Sequence, residues 1–201
     1  MTADVTMRDA LAVARVEELR GVGLDGACYL TEAGGASAEM WRLEPTAIDA
    51  AARRRLRALA QLSHPNLVRI AELSLDEARP TLRLAEGRHE WEALASIGDL
   101  RAALGGLAGA LAAAHKLDVV HGALGPAAVG VDAEGQPVLD LTRLRVRPGQ
   151  PPPLAPELAQ GATPSAAADV WALGHMLAAL PGADALPELA RMCDPDRKSV
   201  V

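Results

Sequence analysis

The stretch LAGALAAAHKLDVVHGALGPAAVGVDAEGQPVLDLTRL, residues 107–144, decides how this chain folds. It continues a run of leucines, residues 100–111, that recur at the spacing of one helix face. Two short apolar segments, residues 129–131 and 138–141, then flank the turn DAEG at residues 132–135, and this arrangement is typical of a hairpin. The stretch therefore predicts a helix, a loop and a two-stranded hairpin, in that order.

Upstream of this stretch, the chain predicts antiparallel strands separated by turns. A helical pattern interrupts them at residues 46–62, where leucines recur on one side and arginines lie among them. We therefore expect a small sheet accompanied by one helix. The strand-like segments are residues 16–19, 27–31, 39–43, 67–73 and 81–84.

Downstream, the sequence predicts a mainly helical unit. Asp99 can cap the helix that begins at residue 100, and Ser165 can cap a second helix at residues 166–180. A further helix is predicted at residues 186–193. Three glycines in the first helix each cost up to ~1 kcal/mol relative to alanine, so we expect either the close approach of a neighbouring helix or tolerance in a buried site. These glycines are Gly105, Gly106 and Gly109.

Composition excludes several classes of protein. The 201 residues are half apolar, which is enough for a core, and the net charge of -6 makes nucleic acid an unexpected partner. Cys28 and Cys193 lie far apart without metal or disulfide spacing, so we expect a reducing compartment and a cytoplasmic location. The longest uncharged apolar stretch, residues 102–114, is shorter than the ~20 residues of a membrane span. Membrane attachment is expected only through a tail beyond Val201.

The order of these elements and motifs resembles a bacterial protein kinase of the eukaryotic, or Hanks, type. Residues 107–144 are similar to the kinase run from the central helix through the H-R-D-L-x-x-x-N catalytic loop to the D-F-G motif. On either side, LSHPNLVRI at residues 62–70 resembles the kinase helix-to-strand junction. LAPEL at residues 154–158 resembles the A-P-E motif, and DVWALG at residues 169–174 resembles the start of the helix that follows it. Together these segments cover most of the chain.

The resemblance implies an α+β, bilobal protein-kinase-like fold. Residues 1–87 would form a small β-rich N-lobe with one helix, and residues 88–201 a mainly helical, truncated C-lobe. The turn GVGLDG at residues 21–26 is similar to the kinase phosphate loop, although on its own it is more typical of an ordinary hairpin. As a phosphate loop, this turn would supply the vestigial nucleotide-binding residues Gly21, Gly23 and Gly26, together with Asp140.

Seen through this resemblance, the groups that kinases use for phosphoryl transfer are missing. Ala123 stands at the catalytic aspartate and Ala128 at the metal-binding asparagine. No acid or amide lies between His121 and Asp132, so a shift of the alignment cannot supply one. A methyl group cannot accept a proton or bind magnesium. The resemblance therefore implies a protein that is not an enzyme, and binding of ATP and magnesium is not expected.

The ion pair that closes the kinase cleft is also missing. Arg42, or Trp41 if the register shifts by one, stands at the lysine of the third strand, and Arg55 stands at its glutamate partner. Two cations facing each other would repel. Asp140 keeps the single carboxylate of the D-F-G motif, whose glycine is replaced by Thr142.

The residues that the family uses for architecture are retained. By resemblance, Asp169 should accept backbone N–H bonds near His121, and Glu157 should pair with Lys198 or its neighbour Arg197. This combination indicates a pseudokinase that acts in signalling as a protein-binding scaffold or regulatory module, with an active kinase or a phosphopeptide reader as candidate partners. The alternative is a nucleotide-responsive switch or a residual atypical phosphotransferase.

Overall fold

In the computed structural model, an antiparallel sheet with one helix is followed by a helical unit that carries a two-stranded hairpin. This is the α+β, bilobal arrangement expected from the sequence. The expected lobe boundary after residue 87 lies outside the described residues. The structure describes residues 16–19, 26–33, 36–76, 78–85, 98–132, 134–142 and 151–194.

The sheet has five strands in the order β1-β2-β3-β5-β4, with every neighbouring pair antiparallel. Four of the predicted strands form close to their predicted positions. The exception is the strand predicted at residues 67–73, which begins at residue 70. Leu67 instead forms an isolated parallel bridge with Leu139. The strands are β1 (Val16–Leu19), β2 (Gly26–Ala33), β3 (Ala36–Leu43), β4 (Ile70–Ser74) and β5 (Thr81–Leu84).

Helix α1 (Ala50–Gln61) packs on this sheet. It begins four residues later than the pattern predicts, because a 3₁₀ turn at Pro45–Ala47 comes first and Asp49 then caps the helix. The Asp49 carboxylate accepts a hydrogen bond from the backbone N–H of Ala52 at 2.7 Å. Leu56 and Leu59 are the buried residues of the helix and belong to the same core as the inward side chains of the sheet.

Helix α2 (Leu100–His115) begins at the predicted cap, where Asp99 accepts from the N–H of Ala102 at 2.9 Å. Its glycines do not admit a neighbouring helix. A Cβ on Gly106 would lie 2.7 Å from the amide group of Asn66, and one on Gly109 would lie 3.3 Å from the His64 ring. These two glycines instead make room for the loop that follows α1, whereas a Cβ on Gly105 would meet nothing within 4 Å.

The loop that follows α1 also joins the sheet and α1 to the hairpin formed by β6 (Val129–Val131) and β7 (Pro137–Leu139). The Leu139 N–H donates to the Asn66 carbonyl at 2.9 Å, and the Val68 N–H donates to the Leu139 carbonyl at 2.9 Å. The Asn66 side-chain amide donates to the Pro137 carbonyl at 2.7 Å. These bonds fix the hairpin beneath the sheet.

Three further helices follow: α3 (Pro156–Ala159), α4 (Ala166–Leu177) and α5 (Pro187–Met192). Ser165 caps α4 as predicted, accepting from the Ala168 N–H at 3.2 Å. The helix ends three residues earlier than predicted, which fits Pro181, because a residue before proline is restricted away from helical geometry. Among the described helices, none combines the length and apolar character that crossing a membrane requires.

One continuous core runs through both units. It extends from Trp41 and Leu82 in the sheet, through Leu107 in α2 and Leu139 in β7, to Leu173 in α4. The loop that carries the sequence-predicted site lies between α2 and the hairpin, so both of its ends are held by this core.

Candidate functional site

The candidate site is the loop from His121 to Ala128, which connects α2 to the hairpin. His121 lies in the buried interior, and its Nδ1 accepts from the Ala123 N–H at 3.3 Å. The last three residues form a 3₁₀ turn, Pro126–Ala128, that leads directly into β6. The loop is thus a defined turn between fixed elements.

Asp169 anchors the loop from the first turn of α4. Its carboxylate, 1% exposed, accepts from the backbone N–H of His121 on Oδ2 and from that of Gly122 on Oδ1, each at 2.7 Å. This is the placement expected from the sequence. Gly122 has φ 72°, in the left-handed region where a glycine costs least. A buried carboxylate with two backbone donors therefore holds this turn, and glycine adopts its backbone conformation without strain.

His115, the last residue of α2, is a further member of this cluster that sequence reasoning missed. Its Nε2 lies 3.1 Å from Asp169 Oδ2, and its side chain is 8% exposed. Among the described residues, its Nδ1 is a buried nitrogen without a hydrogen-bond partner. The neutral tautomer with a proton on Nε2 would donate to Asp169. Only its place at a helix end, close before His121, could have singled it out.

The two alanines expected at the catalytic positions lie on this loop. Ala123 is half-buried and contributes only its backbone to the hydrogen bonds already described. Ala128 is buried, and its carbonyl accepts from the Asp140 N–H at 2.7 Å. That bond brings Asp140 beside the loop. The side chains of both residues are methyl groups, which offer no hydrogen-bonding or metal-binding atom.

Asp140, which follows β7, is the one carboxylate that the hairpin brings to the loop. It is 4% exposed, and its Oδ1 accepts from both the N–H of Thr142 at 2.9 Å and the Thr142 hydroxyl at 2.6 Å. Thr142 thus supplies a hydroxyl donor where the kinase motif has glycine. The described residues contain no group of three or more side chains that could together hold a metal ion.

The structure corrects the expectation that Arg42 and Arg55 face each other. Successive strand residues point to opposite faces, and in β3 both Trp41 and Leu43 are buried, whereas Arg42 between them is exposed. Trp41 pairs with Leu82 in β5. Trp41 therefore occupies the inward position. Within the described part of the chain, its buried Nε1 has no hydrogen-bond partner.

Arg55 reaches across the junction between the two units. Its guanidinium donates to the backbone carbonyl of Thr142 at 3.4 Å. Helix α1 is thus joined to the segment after β7 by an arginine and a backbone carbonyl. The contact was not expected, because the sequence gives no sign of a backbone partner.

Gly125 is in contact with the proline-rich segment that precedes α3. A Cβ at Gly125 would lie 3.0 Å from both Cα and Cβ of Pro152. Such a distance is closer than side chains normally approach, so Pro152 fills the space beside Gly125. In the kinase resemblance this position carries a lysine. The segment therefore covers the outer side of the loop.

Two of the remaining predicted residues, Gly26 and Glu157, lie on other elements. Gly26 begins β2, where it pairs with Leu19 and Leu43. Glu157 lies in α3, half-buried. Gly21, Gly23 and Lys198 lie outside the described residues, so the phosphate loop and the Glu157 ion pair stay predictions.

Two carboxylates on the surface have perturbed acidity. The pKa of Glu72 is lowered, chiefly by the hydrogen bond from Arg83 across the β4–β5 pair at 2.9 Å. The pKa of Glu188 in α5 is lowered by its own backbone N–H and then by Arg101 at 2.7 Å. Both are surface ion pairs, which contribute little to stability.

Solved structures show what this architecture is. The kinase domain of Mycobacterium tuberculosis PknI superposes with a TM-score of 0.60 at 22% identity, covering 92% of this chain and 90% of that chain. A second structure of that domain gives a TM-score of 0.62 at 21% identity with the same coverage. The chain matches no protein-family model and no curated protein. The fold of this chain is that of a protein kinase domain.

Proposed function

We propose that this chain is a pseudokinase: a protein-binding module with a kinase fold that does not transfer phosphate. The observation that carries the proposal is the loop itself. Ala123 and Ala128 present methyl groups at the positions of the catalytic base and of a metal ligand. A kinase loop without both groups lacks the means to orient a hydroxyl and to hold the second magnesium ion.

The surroundings of Asp140 weigh against magnesium–nucleotide binding. Magnesium requires near-octahedral oxygen ligands and is usually held by one or two carboxylates together with the phosphates. Oδ1 of Asp140 already accepts two hydrogen bonds from Thr142, and Ala128 offers no side-chain ligand beside it. Trp41 takes the inward position on β3 where a lysine would neutralise phosphate charge. This donor set does not fit a magnesium–ATP complex.

The retained scaffold supports a binding role. Asp169 is buried and holds the loop through two backbone N–H groups even though the loop lacks a catalytic aspartate. Keeping a buried carboxylate satisfied requires a specific structure, and that structure is retained here together with a core that spans both units. A signalling scaffold that binds a protein, such as an active kinase or a phosphopeptide reader, uses the fold without the chemistry.

Two measurements on the purified chain test this proposal. With ATP and magnesium we expect neither incorporation of labelled phosphate nor a shift in melting temperature. A true site at a hundredfold excess of ligand over its dissociation constant would add ~2.7 kcal/mol to the free energy of unfolding, which a melting curve would reveal. The control is Asp140→Ala, which removes the remaining carboxylate.

The retention of Asp140 is the observation that favours the alternative, a nucleotide-responsive switch or atypical phosphotransferase. A saturable melting shift that Asp140→Ala abolishes would replace the scaffold proposal by the switch. Phosphate incorporation that the same substitution abolishes would replace it by residual catalysis.

A further inference from the structure

The segment PPPLAP, residues 151–156, has a burial pattern that repeats every three residues. Pro151 and Leu154 are exposed, Leu154 by 57%. Pro152 rests against Gly125, and Ala155 is 1% exposed. Pro153 and Pro156 are half-buried. Neither an α-helix nor a β-strand has this period, whereas the 3₁₀ helix and the polyproline II helix both have it.

Of these two, the polyproline II helix has no internal hydrogen bonds, and its backbone angles distinguish it from the 3₁₀ helix. Ala155 has φ -56° and ψ 145°, close to the polyproline II values of about -75° and 145°. Proline fixes φ near -65°, and a residue that precedes proline is restricted to extended geometry. Leu154 is therefore the residue of this segment whose backbone the prolines constrain least.

The three edges of this helix have different surroundings. One edge, Pro152 and Ala155, is held against the molecule, with Pro152 on the loop at Gly125. The opposite edge presents Pro151 and Leu154 to solvent, and the third is partly accessible. A polyproline II ligand whose backbone is already ordered loses less conformational entropy on binding than a free peptide does.

We propose that residues 151–156 form a docking surface for a partner domain whose groove is lined with aromatic side chains and reads polyproline II helices. Such grooves recognise P-x-x-P segments through contacts between proline rings and aromatic faces. Pro153 and Pro156 have this spacing, and Leu154 adds an exposed apolar side chain between them. Pro156 is also the first residue of α3, so the polyproline II backbone extends to Ala155 and positions the Pro156 ring. The inference rests on the proposed protein-binding function and names the surface that performs it.

The charged residues that precede the segment indicate the charge expected at the rim of the partner's groove. The eight residues before the segment, residues 143–150, include Arg143, Arg145 and Arg147 and no acidic residue. Complementary charges across an interface favour encounter and orientation. The groove should therefore have an acidic rim near the end that receives Pro151.

The direct test is binding of the full chain to a panel of purified, immobilised proline-reading domains of the SH3 and WW types with acidic groove rims. We expect at least one domain to bind with a dissociation constant in the micromolar range. Leu154→Asp and Pro153→Ala should each weaken that binding about tenfold, which corresponds to ~1.4 kcal/mol. Leu117→Asp is the matched control, because Leu117 is also exposed, by 45%, but lies after α2.

Both aspartate variants should melt within a few degrees of the parent, since substitutions at exposed positions typically change stability by less than ~0.5 kcal/mol. Failure of every domain to bind the parent chain overturns the docking surface. So does binding that Leu154→Asp leaves unchanged.

A second arm separates this inference from the proposed function. The immobilised parent chain and its Leu154→Asp variant are each incubated with an extract of the source organism. A specific partner captured equally by both overturns the docking surface and leaves the protein-binding function standing. A partner that the parent chain captures and the Leu154→Asp variant does not capture supports both the docking surface and the protein-binding function. No specific partner on the parent chain contradicts the protein-binding function, whatever the panel shows.

Discussion

Asp169 shows how a single carboxylate can be required by a fold after the chemistry beside it has gone. It faces three polar groups, the N–H of His121, the N–H of Gly122 and the imidazole of His115, within 3.1 Å. Without the carboxylate, the buried N–H of His121 and the partly buried N–H of Gly122 and Nε2 of His115 would lose this partner. A buried donor without a partner costs about 1–3 kcal/mol. The residue is thus retained for structural reasons.

We therefore predict that Asp169→Asn destabilises the protein although it changes few atoms. The amide has one acceptor oxygen in place of two, and its NH₂ group would face a backbone N–H or the His115 ring. The expected loss is about 1–3 kcal/mol in the free energy of unfolding, measured by urea denaturation. Asp184→Asn is the matched control because Asp184 is exposed. A variant as stable as the parent would contradict the anchoring role.

Sequence reasoning located Asp169 because its motif fixes both its position and its partners. Trp41 and Arg42 show where such reasoning stops, since a shift of one residue exchanges the two faces of a strand and only the folded sheet shows which faces inward. Pro152 could not be found at all. Its contact with Gly125 joins two loops across an interval of sequence that carries no periodic signal.

At the scale of elements, helix α2 shows that equivalent residues need not have equivalent roles. Gly105 and Gly106 are adjacent in the same helix, and by propensity alone each should be better replaced by alanine. Gly105 faces open space, whereas Gly106 faces the Asn66 side chain, whose amide is bonded to the Pro137 carbonyl. The second glycine therefore supports the connection between loop and hairpin.

We predict that Gly105→Ala raises stability by up to ~1 kcal/mol, the propensity difference between the two residues. Gly106→Ala should lower it, because the new Cβ would displace the Asn66 amide and break its bond to Pro137, at a cost of ~1 kcal/mol or more in addition to the strain. Thermal melts of the two variants, which differ only in position, measure the contrast. Equal stabilisation by both would show that Asn66 can move freely.

The helices and strands were largely predictable, and for the helices the capping residues can be recognised in the sequence. Asp99 and Ser165 cap α2 and α4 as expected, and most strands lie within a few residues of their predicted positions. For the α2 glycines the sequence left open a neighbouring helix or tolerance in a buried site, and the neighbour of Gly106 and Gly109 is a loop. Residue spacing shows that one face of α2 has small side chains, but it does not show which segment packs against that face. The loop at His64–Asn66 could therefore not have been inferred.

At the scale of the whole molecule, the two units are joined by contacts that neither can make alone. The Asn66 and Leu139 backbones pair across the junction, Arg55 donates to the Thr142 carbonyl, and apolar side chains of both units form one cluster. Chains longer than about 150 residues often unfold through intermediates. A shared core opposes that tendency here, because exposing either unit would expose the apolar face of the other.

We therefore predict a single cooperative unfolding transition, measured with two single-tryptophan variants that both contain Trp91→Phe. The first also contains Trp171→Phe and reports from Trp41, which is 1% exposed in the sheet. The second contains Trp41→Phe and reports from Trp171, which stacks on His175 in α4 with ring centroids 4.7 Å apart. Within each variant, the denaturation midpoint by fluorescence should equal the midpoint by far-UV circular dichroism, because loss of the shared core unfolds both units together. This internal comparison controls for any destabilisation by the substitutions. If the Trp41 signal changes at a lower denaturant concentration than the circular dichroism does, the sheet unfolds independently and the continuous core does not couple the two units.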